Sequence, residues 1–260
     1  MSTAKLEPQV LKNRQGHSFA VQVCRPDTQA TEAVVLLPAI AGVNAYVADR
    51  AAHLAEAGYL AVVIDYFSQA ETKPDLSTPE RIGAAVAAID DRRVLDEVAQ
   101  AIAWLAEQGI ARDKVGALGF CIGGSYAALA GCEQEAPACV VTYYGQLRYP
   151  ERSALKPADP IEMAPRLQAP FLGHFGDGDR LIARDEIDEF AARLRSAQRH
   201  HEIRIYAGAP HAFDEWFRPA VFRPVASAEA WNATLTFLDW HLRQSLTCAA
   251  RFIPNFQQGD

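Results

Sequence analysis

The chain has 260 residues, 50% hydrophobic and 22% charged, which suits one large globular core. Its net charge of -7 argues against nucleic acid or an anionic membrane surface as the main partner. The N-terminus has no apolar signal-peptide region, and no apolar run is long enough to cross a membrane. We therefore expect a cytoplasmic protein that acts on a small molecule, as a monomer or a small homo-oligomer.

Strands and helices are predicted to alternate along the chain, because short apolar or alternating runs are followed by segments with helical periodicity. The predicted strands cover residues 19–24, 33–38, 60–66, 115–118, 138–145, 171–175 and 201–206. Helices are predicted around residues 51–55 and over 79–108, 126–130, 185–197 and 228–242. This alternation predicts an α/β fold with a doubly wound, mostly parallel sheet flanked by helices on both faces.

The chain contains no internal repeat, low-complexity tract or linker that would divide it. We therefore predict a single domain over residues 1–260, with a loosely attached tail at 245–260. The charge run at 90–93 is predicted to be a solvated break or face within the long helical segment.

The cysteines are odd in number and widely scattered, without a C-x-x-C pair, so neither a disulfide framework nor a zinc site is predicted. They are Cys24, Cys121, Cys132, Cys139 and Cys248. Cys24, Cys132 and Cys139 have apolar neighbours in the sequence and are predicted to be small core residues.

Cys121 lies where a predicted strand turns sharply into a helix. The surrounding Gly119-Phe120-Cys121-Ile122-Gly123 has the nucleophile-elbow pattern G-x-S-x-G, with Cys in place of Ser. In such an elbow the central residue is strained, and side chains at the glycines would collide with the neighbouring backbone. The helix N-terminus favours a thiolate and a developing oxyanion. Alone, the motif is also compatible with simple packing at a helix start.

Two further polar segments follow predicted strands, the acidic turn with Asp177 and Asp179 and the loop with His211. In open α/β sheets, functional residues lie beyond the carboxyl ends of the strands. The order nucleophile, acid, histidine is that of the α/β-hydrolases. A Cys-His-Asp triad is therefore predicted, although the aspartates also favour turns and His211 also fits a surface loop. His174, within a predicted strand, is expected to be packed.

These motifs together resemble the dienelactone hydrolase family of α/β-hydrolases, from about Phe19 to Leu242. The resemblance is carried by Gly42-Val43-Asn44, the Cys elbow, Tyr143-Tyr144-Gly145, Gly176-Asp177-Gly178-Asp179 and Pro210-His211-Ala212-Phe213. It implies the α/β-hydrolase fold and a triad of Cys121, Asp179 and His211, because the family's G-x-x-D spacing selects Asp179 over Asp177. It also implies that the backbone N–H of Ile40 joins that of Ile122 in an oxyanion hole.

The chain departs from the family at two positions. Ala39 stands where the family usually has a Glu that contacts the resting thiol. Without that carboxylate, the thiol is expected to pair directly with His211 and rest as a thiolate. Asp214 and Glu215 stand where the dienelactone enzymes use an Arg to hold the substrate carboxylate. These acids are expected to repel an anionic lactone, which makes dienelactone itself a doubtful substrate.

The predicted function is hydrolysis of an ester or lactone through a thioester intermediate, which requires neither metal nor cofactor. Aromatic residues that either line the substrate pocket or simply pack are Tyr66, Phe67, Tyr144, Phe213 and Trp216. Arg81 is a candidate to bind a substrate carboxylate, as are Arg148 and Arg180. Two alternatives remain: a family member that binds a small molecule without turnover, which the lost Glu and Arg favour, and an acyltransferase with the same triad.

Overall fold

A computed structural model of the chain describes residues 5–68, 70 and 72–243. In these residues eight strands form one sheet with the order β1-β2-β4-β3-β5-β6-β7-β8. The strands are β1 (Glu7–Lys12), β2 (Ser18–Cys24), β3 (Ala33–Leu37), β4 (Leu60–Ile64), β5 (Val115–Phe120), β6 (Cys139–Tyr143), β7 (Phe171–Gly176) and β8 (His201–Tyr206). The β1–β2 and β2–β4 pairs are antiparallel, and all other neighbours are parallel.

Helices cover both faces of the sheet. They are α1 (Ala45–Glu56), α2 (Pro79–Ala88), α3 (Asp91–Glu107), α4 (Ile122–Ala130), α5 (Pro160–Met163), α6 (Arg184–Ser196) and α7 (Pro224–Arg243). Helices α1 and α7 share one face, where Tyr59 after α1 hydrogen-bonds to Asp239 of α7. Helices α3 to α6 pack together on the other. The predicted architecture, a mostly parallel sheet between helical layers, is confirmed.

The central strands are apolar throughout because both of their faces are covered. Every residue of β3, β4, β5 and β6 is buried. The predicted core cysteines Cys24, Cys132 and Cys139 are buried as well. The sheet thus forms a rigid platform whose carboxyl edge carries the loops with Cys121, Asp179 and His211.

The structure differs from the predicted elements in three places. Strand β1 was not predicted, because its sequence is mostly polar and only Leu11 is buried. The last helix begins at Pro224 rather than residue 228, since proline fits the first turn of a helix. The break near residue 90 exists, with Asp90 capping α3, but Asp91 is not solvated. Its carboxylate is 2% exposed and lies 2.5 Å from Lys156 Nζ.

The predicted tail at residues 245–260 lies outside the described residues, so the proposed extent of the single domain stays a prediction. Among the helices that the structure describes, none is long and apolar enough to span a bilayer.

Candidate active site

Cys121 occupies a strained turn between β5 and α4. Its backbone has φ 54° and ψ -123°, a region that residues with a side chain rarely adopt. The turn is held because Cys121 N donates to Tyr143 O at 3.0 Å, while Cys121 O accepts from Gly124 N at 2.9 Å. The sulfur is therefore presented at the N-terminus of α4, above the carboxyl edge of the sheet.

The glycines of the elbow are required by close backbone approach. A Cβ atom at Gly119 would overlap the carbonyl group of Gly123, and one at Gly123 would overlap the carbonyl oxygen of Leu37 in the neighbouring strand. At Gly124 it would overlap the Thr142 hydroxyl. These overlaps are the collisions that the elbow motif predicts, and they account for the local G-x-C-x-G-G sequence.

His211 is held by Asp179, which follows the adjacent strand β7. His211 Nδ1 lies 2.8 Å from Asp179 Oδ2, and the Asp179 side chain is 1% exposed. Asp177, the other candidate acid, is exposed and accepts a hydrogen bond from Gly208 N instead. The structure therefore brings Asp179, and not Asp177, to the histidine.

His211 also interacts with Cys121. Burial alone would lower the pKa of the imidazole, but the negative charge of Cys121 and the hydrogen bond that the imidazole donates to Asp179 outweigh it and raise the pKa to about 10. The Nε2 atom is buried and makes no hydrogen bond of standard geometry with any described residue. The two side chains are thus close enough for strong electrostatic coupling but are not locked in a tight hydrogen bond, and the imidazolium is favoured at neutral pH.

Two backbone N–H groups, those predicted to form the oxyanion hole, have no acceptor among the described residues. Ile122 N is in the first turn of α4, where N–H groups have no partner within the helix. Ile40 lies in the loop after β3, which closes with a bond from Gly42 N to Ala39 O at 2.8 Å. Neither Ile40 N nor Ile122 N donates a hydrogen bond within the described part of the chain. Tyr66 OH donates to Pro38 O at 3.1 Å and fixes this loop beside the elbow.

Tyr66 and Tyr144 place phenol groups close to Cys121. Burial raises the pKa of both well above the ordinary value for tyrosine. Smaller rises come from the charge of Glu97 at Tyr66, from those of Asp214 and Glu215 at Tyr144, and from Cys121 at both. Tyr144 has φ 41° and its ring centroid lies 5.0 Å from that of His211. Its hydroxyl is buried and has no hydrogen-bond partner of standard geometry among the described residues.

The other predicted binding residues are more dispersed. Phe67 packs beside Gly42 in the loop after β3, and Phe213 is buried against Tyr144 with its ring centroid 5.4 Å away. Trp216 is 45% exposed and contacts Phe217 edge-to-face. Within the described residues, no hydrogen bond, ion pair or ring contact joins Trp216 or Arg81 to the candidate triad.

The candidate arginines have different partners. Arg81 is exposed and pairs with Asp75, and Arg148 pairs with Glu189 at 2.9 Å. Arg180, directly after Asp179, is exposed and makes no ion pair or hydrogen bond with any residue that the structure describes. Of the three, Arg180 therefore has the most available charge.

Comparison with known proteins places this site in a family. The family model described as the dienelactone hydrolase family matches residues 19–242. The chain belongs to the dienelactone hydrolase family. A Bradyrhizobium relative named "Probable 2-oxo-3-(5-oxofuran-2-ylidene)propanoate lactonase" is 43% identical over 231 residues, which cover 87% of this chain and 91% of the relative. A carboxymethylenebutenolidase of Rhodococcus opacus is 30% identical, with 83% and 84% of the two chains covered.

A solved structure agrees with this membership. A crystal structure assigned as a dienelactone hydrolase of Klebsiella pneumoniae superimposes with a TM-score of 0.82 at 27% identity, covering 90% of this chain and 98% of that one. The predicted family and the predicted α/β-hydrolase fold are confirmed. With them, the prediction of an ester or lactone hydrolase is confirmed.

In this dienelactone hydrolase family member, each of the two acids after His211 has a cationic partner. Asp214 is fully buried and accepts hydrogen bonds from Arg50 at 2.9 and 3.0 Å, from Ser227 Oγ at 2.6 Å, and from Tyr46 OH. Burial raises the pKa of its carboxyl, while these four bonds favour the carboxylate. Glu215 lies 2.9 Å from the guanidinium of Arg218. Each acid thus has a cationic partner, which reduces the repulsion expected for an anionic lactone, and that expectation stays a prediction.

The contact between Arg50 and Asp214 was not predicted from the sequence. Arg50 lies beside Ala51 on the inner side of α1, a position where periodicity predicts an apolar residue, and no local motif reports its partner. His174 is fully buried and lies near Tyr206 OH and Thr234 Oγ1, as expected of a packed residue. Among the described residues, no group of three or more His, Cys, Asp or Glu side chains is arranged to hold a metal ion.

Proposed function

We propose that the chain hydrolyses an unsaturated lactone through a triad in which Cys121 is the nucleophile, His211 the acid and base, and Asp179 the residue that orients His211. The observation that carries this proposal is the position of His211, bonded to Asp179 through Nδ1 and electrostatically coupled to Cys121. Nucleophile, proton carrier and orienting acid are the three groups that acyl transfer needs.

In the acylation step the thiolate sulfur of Cys121 forms a bond to the lactone carbonyl carbon. Negative charge develops on the carbonyl oxygen and is stabilised by the backbone N–H groups of Ile40 and Ile122. The ring carbon–oxygen bond then breaks, and its electron pair stays on the ring oxygen. That oxygen takes a proton from the His211 imidazolium, which leaves a thioester and a neutral imidazole.

In the second step water hydrolyses the thioester. Neutral His211 accepts a proton from the water as its oxygen attacks the thioester carbon. Collapse of the tetrahedral intermediate expels the Cys121 thiolate and restores the thiolate–imidazolium pair. The product acid loses its proton to solvent, so the cycle consumes one water and requires no metal or cofactor.

The substrate class follows from the relatives together with the charges at the site. Both relatives are named for a five-membered unsaturated lactone whose exocyclic double bond leads to a carboxylate. Such a lactone is an enol ester, so the departing group is a stabilised enolate. Asp214 and Glu215 have cationic partners, and Arg180, next to Asp179, is unpaired within the described residues, so these groups are compatible with an anionic substrate. We propose this class of ylidene-lactone carboxylate for the chain.

A panel of three substrates tests the function: the ylidene-lactone carboxylate, its neutral methyl ester and p-nitrophenyl acetate. Wild type is expected to hydrolyse the carboxylate with the highest kcat/KM, and Cys121→Ala to hydrolyse none. Cys132→Ala is the matched control, because that thiol is buried away from the site and burial raises its pKa to about 12. It is expected to keep wild-type activity.

Trapping the intermediate separates this function from its alternatives. Acid quenching during turnover is expected to leave the acyl group on the peptide that contains Cys121, detected by mass spectrometry. Binding of the lactone without turnover would favour the non-catalytic alternative. Transfer of the acyl group to an added alcohol or amine in preference to water would favour the acyltransferase. Full activity of Cys121→Ala would contradict the proposed nucleophile.

A further inference from the structure

Strand β8 forms one end of the sheet and leaves its outer side unpaired. It hydrogen-bonds to β7 on its inner side, over the pairs from Phe171–His201 to Gly176–Tyr206. Within the described residues no strand, helix or loop hydrogen-bonds to its outer side. An unpaired strand of this length is a template for another strand.

The hydrogen-bonding groups that face outward can be identified from the inner pairing. Phe171 N donates to His200 O and Asp177 N donates to Tyr206 O, so the even-numbered residues direct their backbone groups towards β7. Because these groups alternate along a strand, those of His201, Ile203 and Ile205 point away from the sheet.

The sequence of β8 lacks the prolines and lysines that protect many edge strands. Residues 201–206, His-Glu-Ile-Arg-Ile-Tyr, include no proline, glycine or lysine. The exposed side chains are Glu202 and Arg204, which have opposite charges on the same face of the strand. Ile203 and Ile205 are half-buried on the other face. A strand with alternating opposite charges is complementary to itself in antiparallel orientation.

We propose that β8 pairs with β8 of a second copy of this chain, antiparallel, around a two-fold axis at Ile203. In this register Ile203 exchanges both backbone hydrogen bonds with its counterpart, as its outward groups allow. Glu202 then stands opposite Arg204 of the second copy, and Arg204 opposite Glu202. These are non-hydrogen-bonded pairs, in which opposed side chains come closest. An axis at Glu202 or at Arg204 would instead place like charges opposite each other.

A groove beside the strand provides further surface for the second copy. It has a volume of about 710 Å³ and lies between β8 and the outer face of α7, lined by Glu202 and Arg204 from the strand and by Phe237, Trp240 and His241 from the helix. Trp240 is 57% exposed. Glu202 and Arg204 line the same groove as Trp240. Pairing of these charges in the dimer would therefore reduce the exposure of the Trp240 side chain.

The present partners of the two charges do not oppose the pairing. Arg204 Nε lies 2.6 Å from Glu202 Oε1 of the same strand, but both side chains are about half exposed, at 46% and 49%. Exposed pairs of this kind contribute little. Replacing the Glu202–Arg204 pair within each strand by two such pairs across the dimer therefore costs little. The new pairs form only in the register that places opposite charges opposite each other.

Analytical ultracentrifugation of the full chain tests the proposal through charge reversal. Wild type is expected to be a dimer. Glu202→Arg and Arg204→Glu each set like charges opposite each other at two places, so each variant is expected to weaken the dimer by about 10- to 100-fold. A mixture of the two variants restores both opposite-charge pairs only in the heterodimer, and the double variant restores them in its homodimer. Both are expected to dimerise like wild type.

Two controls keep these results interpretable. Glu107→Arg makes the same change in net charge as Glu202→Arg, at an exposed position on α3, and is expected to leave the dimer intact. Ester hydrolysis by each variant is expected to equal that of wild type, because neither β8 residue belongs to the candidate triad.

Other outcomes would overturn the pairing. A monomeric wild type would do so, as would a dimer that survives both single reversals or a mixture that stays monomeric. A full chain that is monomeric, with a truncation after Arg243 that dimerises, would assign the edge to residues 244–260 instead.

Discussion

His211 and Asp179 are joined through Nδ1 and Oδ2 at 2.8 Å, although they belong to loops after different strands. Since β7 and β8 are parallel neighbours, their following loops meet at one edge of the sheet. The bond leaves Nε2 of His211 directed away from Asp179 and available to Cys121. This geometry makes the protonation state of His211 the central variable of the candidate site.

The reactivity of Cys121 is expected to depend on His211. Because the pKa of His211 is raised to about 10, the imidazolium persists through neutral pH and is lost only as pH rises through that value. Alkylation of Cys121 by iodoacetamide should be fast and nearly constant between pH 7 and 9. In His211→Ala the thiol must ionise without a partner, and a free thiol has a pKa of about 8.5, so the rate at pH 7 should fall roughly 10- to 30-fold.

The assay is best read in a Cys248→Ser background, because Cys248 lies outside the described residues, with the labelled peptide identified by mass spectrometry. Equal alkylation rates with and without His211 at pH 7 would show that the two side chains are not coupled.

The Tyr144 hydroxyl is expected to serve the reaction rather than the fold. It is buried beside His211 without a hydrogen-bond partner of standard geometry among the described residues, so Tyr144→Phe should cost less than about 0.5 kcal/mol of stability. If the hydroxyl bonds to the substrate, kcat/KM should fall about 10-fold or more.

Tyr143→Phe is the matched control at the adjacent residue. The Tyr143 hydroxyl bonds to Thr234 Oγ1 at 2.8 Å, so its loss should cost about 1 kcal/mol of stability and leave kcat/KM nearly unchanged. Equal kinetic effects of the two substitutions would remove any special role for Tyr144. Urea unfolding and steady-state kinetics measure both quantities.

The Arg50–Asp214 pair is expected to contribute strongly to stability. Arg50→Met leaves the buried Asp214 carboxylate without its cation and should lower the free energy of unfolding by about 3 to 5 kcal/mol. The double variant Arg50→Met/Asp214→Leu removes both charges and should recover a large part of that loss. Urea unfolding of the single and double variants checks the difference, and equal stabilities would show that the charge left behind is not the cause.

Glu97 is expected to make stability depend on pH. It is fully buried, one carboxylate oxygen lacks a hydrogen-bond partner within the described residues, and burial outweighs Arg93 and raises its pKa to about 7. The folded state thus favours the protonated acid. Its contribution is present below about pH 4.5 and is lost as pH rises through 7, by up to about 3 kcal/mol.

Glu97→Gln removes this titration. Urea unfolding at pH 5 and pH 8 should show a smaller loss of stability in the variant than in wild type. The same pH dependence in both proteins would assign it to other groups.

Local sequence determined the central features of this protein. Continuous apolar runs predicted the buried strands because each strand covered on both faces must be apolar. The elbow around Cys121 could be predicted because its glycines are required locally. A side chain at either would overlap backbone atoms a few residues away or in the neighbouring strand. The order of Cys121, the acidic turn and His211 predicted a candidate triad from the sequence alone.

Tertiary structure decided what depends on partners distant in the chain. Arg50 and Asp214 are separated by 164 positions, and only their burial together turns two polar residues into a neutral pair. Asp91 and Lys156 likewise form a buried pair although 65 positions separate them, and Asp91 belongs to a charge run that the sequence predicted to be solvated. Residues Glu7–Lys12 form strand β1 because their backbone groups pair with those of β2. Periodicity records which face of a segment is apolar, but the choice of a polar partner depends on distances that only the folded chain sets.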